Sequence, residues 1–193
     1  LVFNGEIYNY KEVRALLKDY PFRTHSDSEV VIAAYATWGP KGLEHLNGMF
    51  GFAIWDQKEA VLFAARDRVG KKPFFYHVSA SQLLFCSEVR GLLASGMMDG
   101  KLDESQLDEF FKYQAAQHDH TLVKGIRRLP AGHYLLLKDG QLTMEQYWGY
   151  HHLRPSADDL AQARRQVKDL FMDSIRLRMV SDVPVGAFLS GGI

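Results

Sequence analysis

Met49-Phe50-Gly51-Phe52-Ala53-Ile54-Trp55, followed across Asp56-Gln57-Lys58-Glu59 by Ala60-Val61-Leu62-Phe63-Ala64-Ala65, decides the fold class. Both runs are apolar at nearly every position instead of alternating, which predicts two strands covered on both faces. A charged connection, Arg66-Asp67-Arg68-Val69-Gly70-Lys71-Lys72-Pro73, leads to a second hairpin, Phe74 to Val78 and Leu83 to Ser87. Four strands in tandem predict an antiparallel sheet. Their continuous apolarity predicts a further layer on each side, one a second sheet and the other helical.

Toward the N-terminus, Leu1-Val2-Phe3 reads as the tail of a strand that runs into Asn4-Gly5-Glu6. A helix follows, with Asn9 at its N-cap, Glu12 three positions on, and Val13, Leu16 and Leu17 on one face. Asn-Gly is a common turn pair and Glu6 is readily solvated. The same tripeptide at a strand end also presents a backbone N–H beside an Asn amide, the donor pair an oxyanion hole needs. Thr24-His25-Ser26-Asp27-Ser28-Glu29 opens a second helix carrying Val30, Val31, Ala34, Tyr35 and Trp38, closed by Gly39-Pro40; Ser26 and Glu29 form a capping-box pattern. Asp27 in the first turn complements the helix dipole, and would also suit a cationic ligand group such as an α-ammonium.

Toward the C-terminus, Cys86 lies among apolar strand residues and is expected in the core. Glu88 to Ala94 predicts a short helix, and Asp103 with Gln106 opens another through Leu107, Phe110, Phe111 and Gln114. Gln117-His118-Asp119-His120 reads as a solvated connection, with no metal assigned. Leu135 to Lys138, Asp139-Gly140 and Gln141 to Tyr147 form the clearest hairpin, because Asp-Gly accepts positive φ. Trp148 to Ser156, which contains Pro155, is the expected linker. A helical face from about Asp158 to Met179 comes next, on Leu160, Ala163, Val167, Leu170, Phe171 and Ser174. The last stretch, Val183 to Leu189 into Ser190-Gly191-Gly192, is an apolar strand entering a turn whose backbone N–H groups can cradle phosphate.

Composition narrows the function classes. Hydrophobic residues make up 47% of the 193, and 23 basic residues balance 23 acidic ones without a basic run, so no nucleic-acid partner is expected. One cysteine precludes an internal disulfide and fits a reducing compartment. No apolar run has bilayer-spanning length, so no membrane partner and a cytoplasmic location are expected. The chain starts without an initiating Met, and Ile193 falls where a phosphate loop would be half made, so an internal fragment of a longer protein is the expected origin.

In this order, Asn4-Gly5-Glu6-Ile7-Tyr8-Asn9, Ser26-Asp27-Ser28-Glu29, Gly48 to Ala53, Arg66 to Pro73, Gly125 to His133, Ser181-Asp182-Val183-Pro184 and Leu189-Ser190-Gly191-Gly192 resemble glutamine-hydrolysing asparagine synthetases of the B type, class II glutamine amidotransferases. The resemblance implies an α+β architecture. Residues 1–150 would be an N-terminal-nucleophile αββα four-layer sandwich, the glutaminase, and residues 151–193 the start of an α/β ATP-pyrophosphatase synthetase domain. It further implies a nucleophilic Cys and a carboxylate-gripping Arg upstream of Leu1, Asn4 and Gly5 as the oxyanion hole, and Glu6 and Asp27 as glutamine contacts, Asp27 for the α-ammonium. Leu189, Ser190, Gly191 and Gly192 would begin an ATP loop, with Mg2+ accompanying the ATP. Glutamine, aspartate and ATP are then the expected substrates, with a homodimer as one expected assembly. Related readings are an amidotransferase or β-lactam-synthetase-like enzyme that adenylates another carboxylate, and a non-catalytic regulatory protein built from the sandwich alone; the continuation into Ser181 to Ile193 argues against the last. The 193 residues alone are expected to be inert.

Overall fold

The computed structural model describes residues 1–155, 158–181, 183–186, 188 and 191, and the chain divides into two compact units, Leu1–His152 and Leu153–Ile193.

In the first unit, β1 (Val2–Ile7) leads through α1 (Tyr10–Leu16) and α2 (Asp27–Trp38) to β2 (Gly48–Asp56) and β3 (Val61–Arg66). The chain then forms β4 (Phe75–Val78), β5 (Leu83–Cys86), α3 (Val89–Ala94), α4 (Leu107–Tyr113), β6 (Ile126–Arg128), β7 (His133–Lys138) and β8 (Gln141–Gln146). All pairings are antiparallel, and they make two sheets, one ordered β1-β2-β3-β7-β8 and the other β5-β4-β6.

The four tandem strands therefore do not share one sheet, as their sequence predicts: β2 and β3 lie in the first and β4 and β5 in the second. The connection between the pairs changes layers, which a run of strand-like residues cannot reveal. Side-chain alternation explains the continuous apolarity. Phe50, Phe52, Ile54, Phe63 and Ala65 join Val13, Val30, Val31 and Ala34 in one core beneath α1 and α2, with Tyr134 and Leu136 packed against it. Ala53, Ala64 and Leu135 point the other way, into a second core with Phe74, Tyr76 and Leu129 between the sheets. Phe74 stacks on Phe85 there, with ring centroids 5.6 Å apart. On the outer face of the second sheet, α3 closes against Cys86: a Cβ added at Gly91 would lie 2.4 Å from Cys86 Sγ. The layers are thus helix, sheet, sheet, helix, an αββα sandwich.

Some local expectations change. Leu16 is exposed, while Val13 and Leu17 are buried, so the apolar face of α1 is narrower than its pattern suggests. Asn9 occupies the N-cap of α1, but its side chain bonds His45 O and Asn47 N, tying the helix entry to the start of β2. Cys86 is half-buried, not fully enclosed. No residue of α4 is buried, and Gln114 leaves the helix as a left-handed C-cap, so the Leu107 to Gln114 pattern does not form a core face. The β7–β8 turn matches its sequence: Asp139 and Gly140 take φ of 51° and 75° between the paired residues Lys138 and Gln141. In the second unit, α5 (Leu160–Arg178) starts at Asp159, whose carboxylate and Gln162 form a reciprocal capping box.

Candidate functional site

The site is built on the edge of β1 that faces away from β2. In β2, the Phe50 N–H donates to Asp67 Oδ2 and the Phe50 carbonyl accepts from Asp67 N, so the backbone polar groups of Phe50 face away from β1. Gly5 lies directly opposite Phe50, in a pair that exchanges no ladder bonds, and its own N–H therefore points outward from the sheet edge. Ile7, two residues on, confirms the phase: its N–H leaves the same edge and donates to Asp27 Oδ2 at 2.9 Å. Asn4 and Glu6 alternate with these residues and stand on the face toward the second sheet, where Asn4 Nδ2 donates to Ser87 Oγ at 3.1 Å. Adjacent residues of the edge strand thus offer a backbone N–H and a side-chain amide, the two donor types that can stabilise an oxyanion. Only glycine fits at position 5, since a Cβ there would lie 2.2 Å from Met49 O and 2.7 Å from Phe50 Cα of β2.

Asp27 borders the same edge because α2 starts there. Ser26 is its N-cap, accepting from Ser28 N at 3.2 Å. Glu29 does not complete the expected capping box. It turns back to Arg23 N at 2.8 Å and to Thr24 N and Oγ1 at 2.6 Å each, and the Thr24 bond, followed by the Arg23 N–H, holds its carboxyl below the usual range. Those contacts pin the segment before α2, and Ile7 N fixes one Asp27 oxygen. The other, Oδ1, lies 3.5 Å from the Ser26 hydroxyl.

A family model described as a glutamine amidotransferase domain matches residues 1–148. The chain belongs to that family. A second model, asparagine synthase, matches residues 166–193. The chain is 37% identical over its whole length to asparagine synthetase [glutamine-hydrolyzing] 3 of Bacillus subtilis (strain 168) and 34% identical to amidase chry2 of Gibberella zeae, spanning 32% and 29% of those relatives. Among solved structures, glutamine phosphoribosylpyrophosphate amidotransferase from B. subtilis superposes with a TM-score of 0.55 at 18% identity, over 76% of this chain and 28% of that one. That likeness carries the fold, the αββα sandwich.

In this amidotransferase domain, two residues that read in sequence as part of a charged connection prove internal. Asp67 is completely buried and accepts four backbone N–H groups: Phe50 and Lys72 on Oδ2 at 3.2 and 2.9 Å, Val69 and Lys71 on Oδ1 at 3.2 and 2.9 Å. Arg66 reaches the carbonyls of Lys72, Leu129 and Gly70 at 2.7, 2.7 and 2.6 Å, and burial lowers its pKa. Together they curl the Arg66 to Pro73 segment over Gly51, where an added Cβ would lie 3.0 Å from Pro73 O. The signal available in sequence was an acid–base pair at the end of an apolar strand. Ser87 was also missed, for its contact with Asn4 spans 83 positions.

Leu189, Ser190 and Gly192 lie outside the described residues, so no geometry attaches to the expected ATP loop, of which Gly191 alone is described. Among the described residues no group of three or more His, Cys, Asp or Glu side chains could hold a metal ion. Asp119 is instead engaged by Arg127 at 2.9 Å. Among those residues too, no helix is long and apolar enough to cross a membrane.

Proposed function

We propose that the β1 edge binds glutamine and supports hydrolysis of its side-chain amide, within a glutamine-dependent asparagine synthetase. The observation that carries this is the shared edge: the Gly5 N–H and the Asp27-anchoring Ile7 N–H leave β1 in the same direction, about 7 Å apart at ~3.3 Å per residue. An extended glutamine spans that distance, with its amide at Asn4 and Gly5 and its α-ammonium at Asp27. Glu6 then serves as a further glutamine contact. A nucleophile supplied from outside these residues, a cysteine by family resemblance, adds to the side-chain carbonyl, and the carbonyl oxygen gains negative charge. The Gly5 N–H and Asn4 amide donate to that oxygen, each donor being worth about 10²–10³ in rate. Collapse expels ammonia and leaves an acyl-enzyme that water hydrolyses to glutamate.

The match of residues 166–193 to asparagine synthase supports residues 151–193 as the start of a synthetase domain, with Leu189, Ser190, Gly191 and Gly192 in its ATP loop. ATP, with Mg2+, would supply the leaving group that activates the side-chain carboxylate of aspartate for attack by ammonia. The names of the relatives support this acceptor. In the full-length gene product, Asp27→Ala should abolish glutamine-dependent synthesis and leave ammonia-dependent synthesis intact. Equal loss with both nitrogen donors would refute the glutamine role of Asp27.

A further inference from the structure

The Asn4 amide acts as an oxyanion donor only when its NH2 group is held at the strand edge, yet the terminal torsion of an Asn side chain is broad. Something must hold it. The contact available for this is Ser87, whose hydroxyl oxygen accepts from Asn4 Nδ2 at 3.1 Å in a half-buried setting. Two sheet edges make that contact possible: β1 is the outer strand of the first sheet and β5 the outer strand of the second. Along β5, Leu83 and Phe85 face the core between the sheets, while Cys86 faces outward, against Gly91 of α3. Ser87 follows just past the last paired residue, Cys86, so the alternation turns it back toward β1 as the ladder ends.

From this geometry we infer that Ser87 is a positioning residue for the reaction, holding the Asn4 amide so that its second N–H stays aimed at the developing oxyanion. The inference rests on the glutaminase reading of the β1 edge. Nδ2 carries two hydrogens, and the bond to Ser87 uses one of them. Acting through Asn4, to which it is hydrogen-bonded, Ser87 is expected to affect the transition state and not ground-state glutamine binding.

The test uses the full-length gene product and four variants: Ser87→Ala, Ser87→Thr, Asn4→Ala and the Asn4→Ala/Ser87→Ala double variant. Ser87→Ala is expected to lower the glutaminase kcat about tenfold, less than the about 10²–10³ for outright loss of a donor, with KM for glutamine and the ammonia-dependent rate unchanged. Ser87→Thr, which keeps the hydroxyl, is expected to restore most of the rate. In the Asn4→Ala background, removing Ser87 is expected to have no further effect. An unchanged kcat in Ser87→Ala, a change confined to KM, a parallel loss of ammonia-dependent activity, or an undiminished Ser87 effect without Asn4 would each overturn the positioning role. Full glutaminase activity in Asn4→Ala would instead overturn the oxyanion-hole reading itself, so the two failures are distinguishable.

Discussion

Asp67 provides the sharpest test of how the domain holds the start of β2 and the loop beyond β3. Replacing it with Asn preserves shape and volume but changes the chemistry, because all four of its partners are donors. An Asn side chain offers one oxygen, so two of the four N–H groups would face an NH2 group instead. At about 1.5–3 kcal/mol for each hydrogen bond to a charged group, partly offset where loop amides regain water, the loss comes to about 4 kcal/mol. The N–H of Phe50 is buried and gains least from hydration. With a urea m-value of about 2 kcal/mol/M, the unfolding midpoint should fall by roughly 2 M. Trp38, Trp55 and Trp148, the three tryptophans of the chain, all lie in the first unit, so their fluorescence reports on it directly. Asp67→Asn within about 0.5 kcal/mol of the parent would refute the four-donor account, whereas Asp67→Ala should cost at least as much as Asn.

Two further outcomes follow from the site. Gly5→Ala should destabilise the first unit and abolish glutaminase activity together, since the added Cβ meets the backbone at Met49 O and Phe50 Cα, which cannot swing aside; a stable, active variant seen by thermal melting and glutamate release would contradict the edge geometry. Glu29, with its carboxyl depressed by Thr24 and Arg23, stabilises the fold above the ordinary glutamate pKa and loses that contribution as pH falls through its lower folded pKa; a carboxyl titration by NMR should place its midpoint below that of an unperturbed glutamate, and a midpoint at or above it would break the assignment.

Much of this fold was legible in the residues, for identifiable reasons. The apolar runs at Met49 to Trp55 and Val61 to Ala65 could be continuous only because each strand feeds two cores, and this also implied the layers on either side. Asp-Gly at 139–140 specified its turn by backbone sterics alone. What sequence could not show was where the chain changes sheets. That depends on Asp67 gathering amides from β2 and from its own loop, a long-range satisfaction of donors that a charged connection does not advertise. The candidate site was half visible: Asn4, Gly5 and Asp27 each carried a plausible chemistry, but their common edge follows from the β1–β2 register. Ser87 was invisible, because a serine after a strand has no pattern until the second sheet brings it to Asn4.

The central claim is that nitrogen taken from glutamine at the β1 edge ends in an amide formed at a second site. Supplying the full-length gene product with glutamine labelled with 15N in its side-chain amide, together with aspartate, ATP and Mg2+, and following the label by mass spectrometry tests it directly. The account predicts 15N in the side-chain amide of asparagine, with AMP and pyrophosphate formed alongside. Label appearing only as free ammonium, with no amide product, or remaining wholly in glutamine, would contradict it.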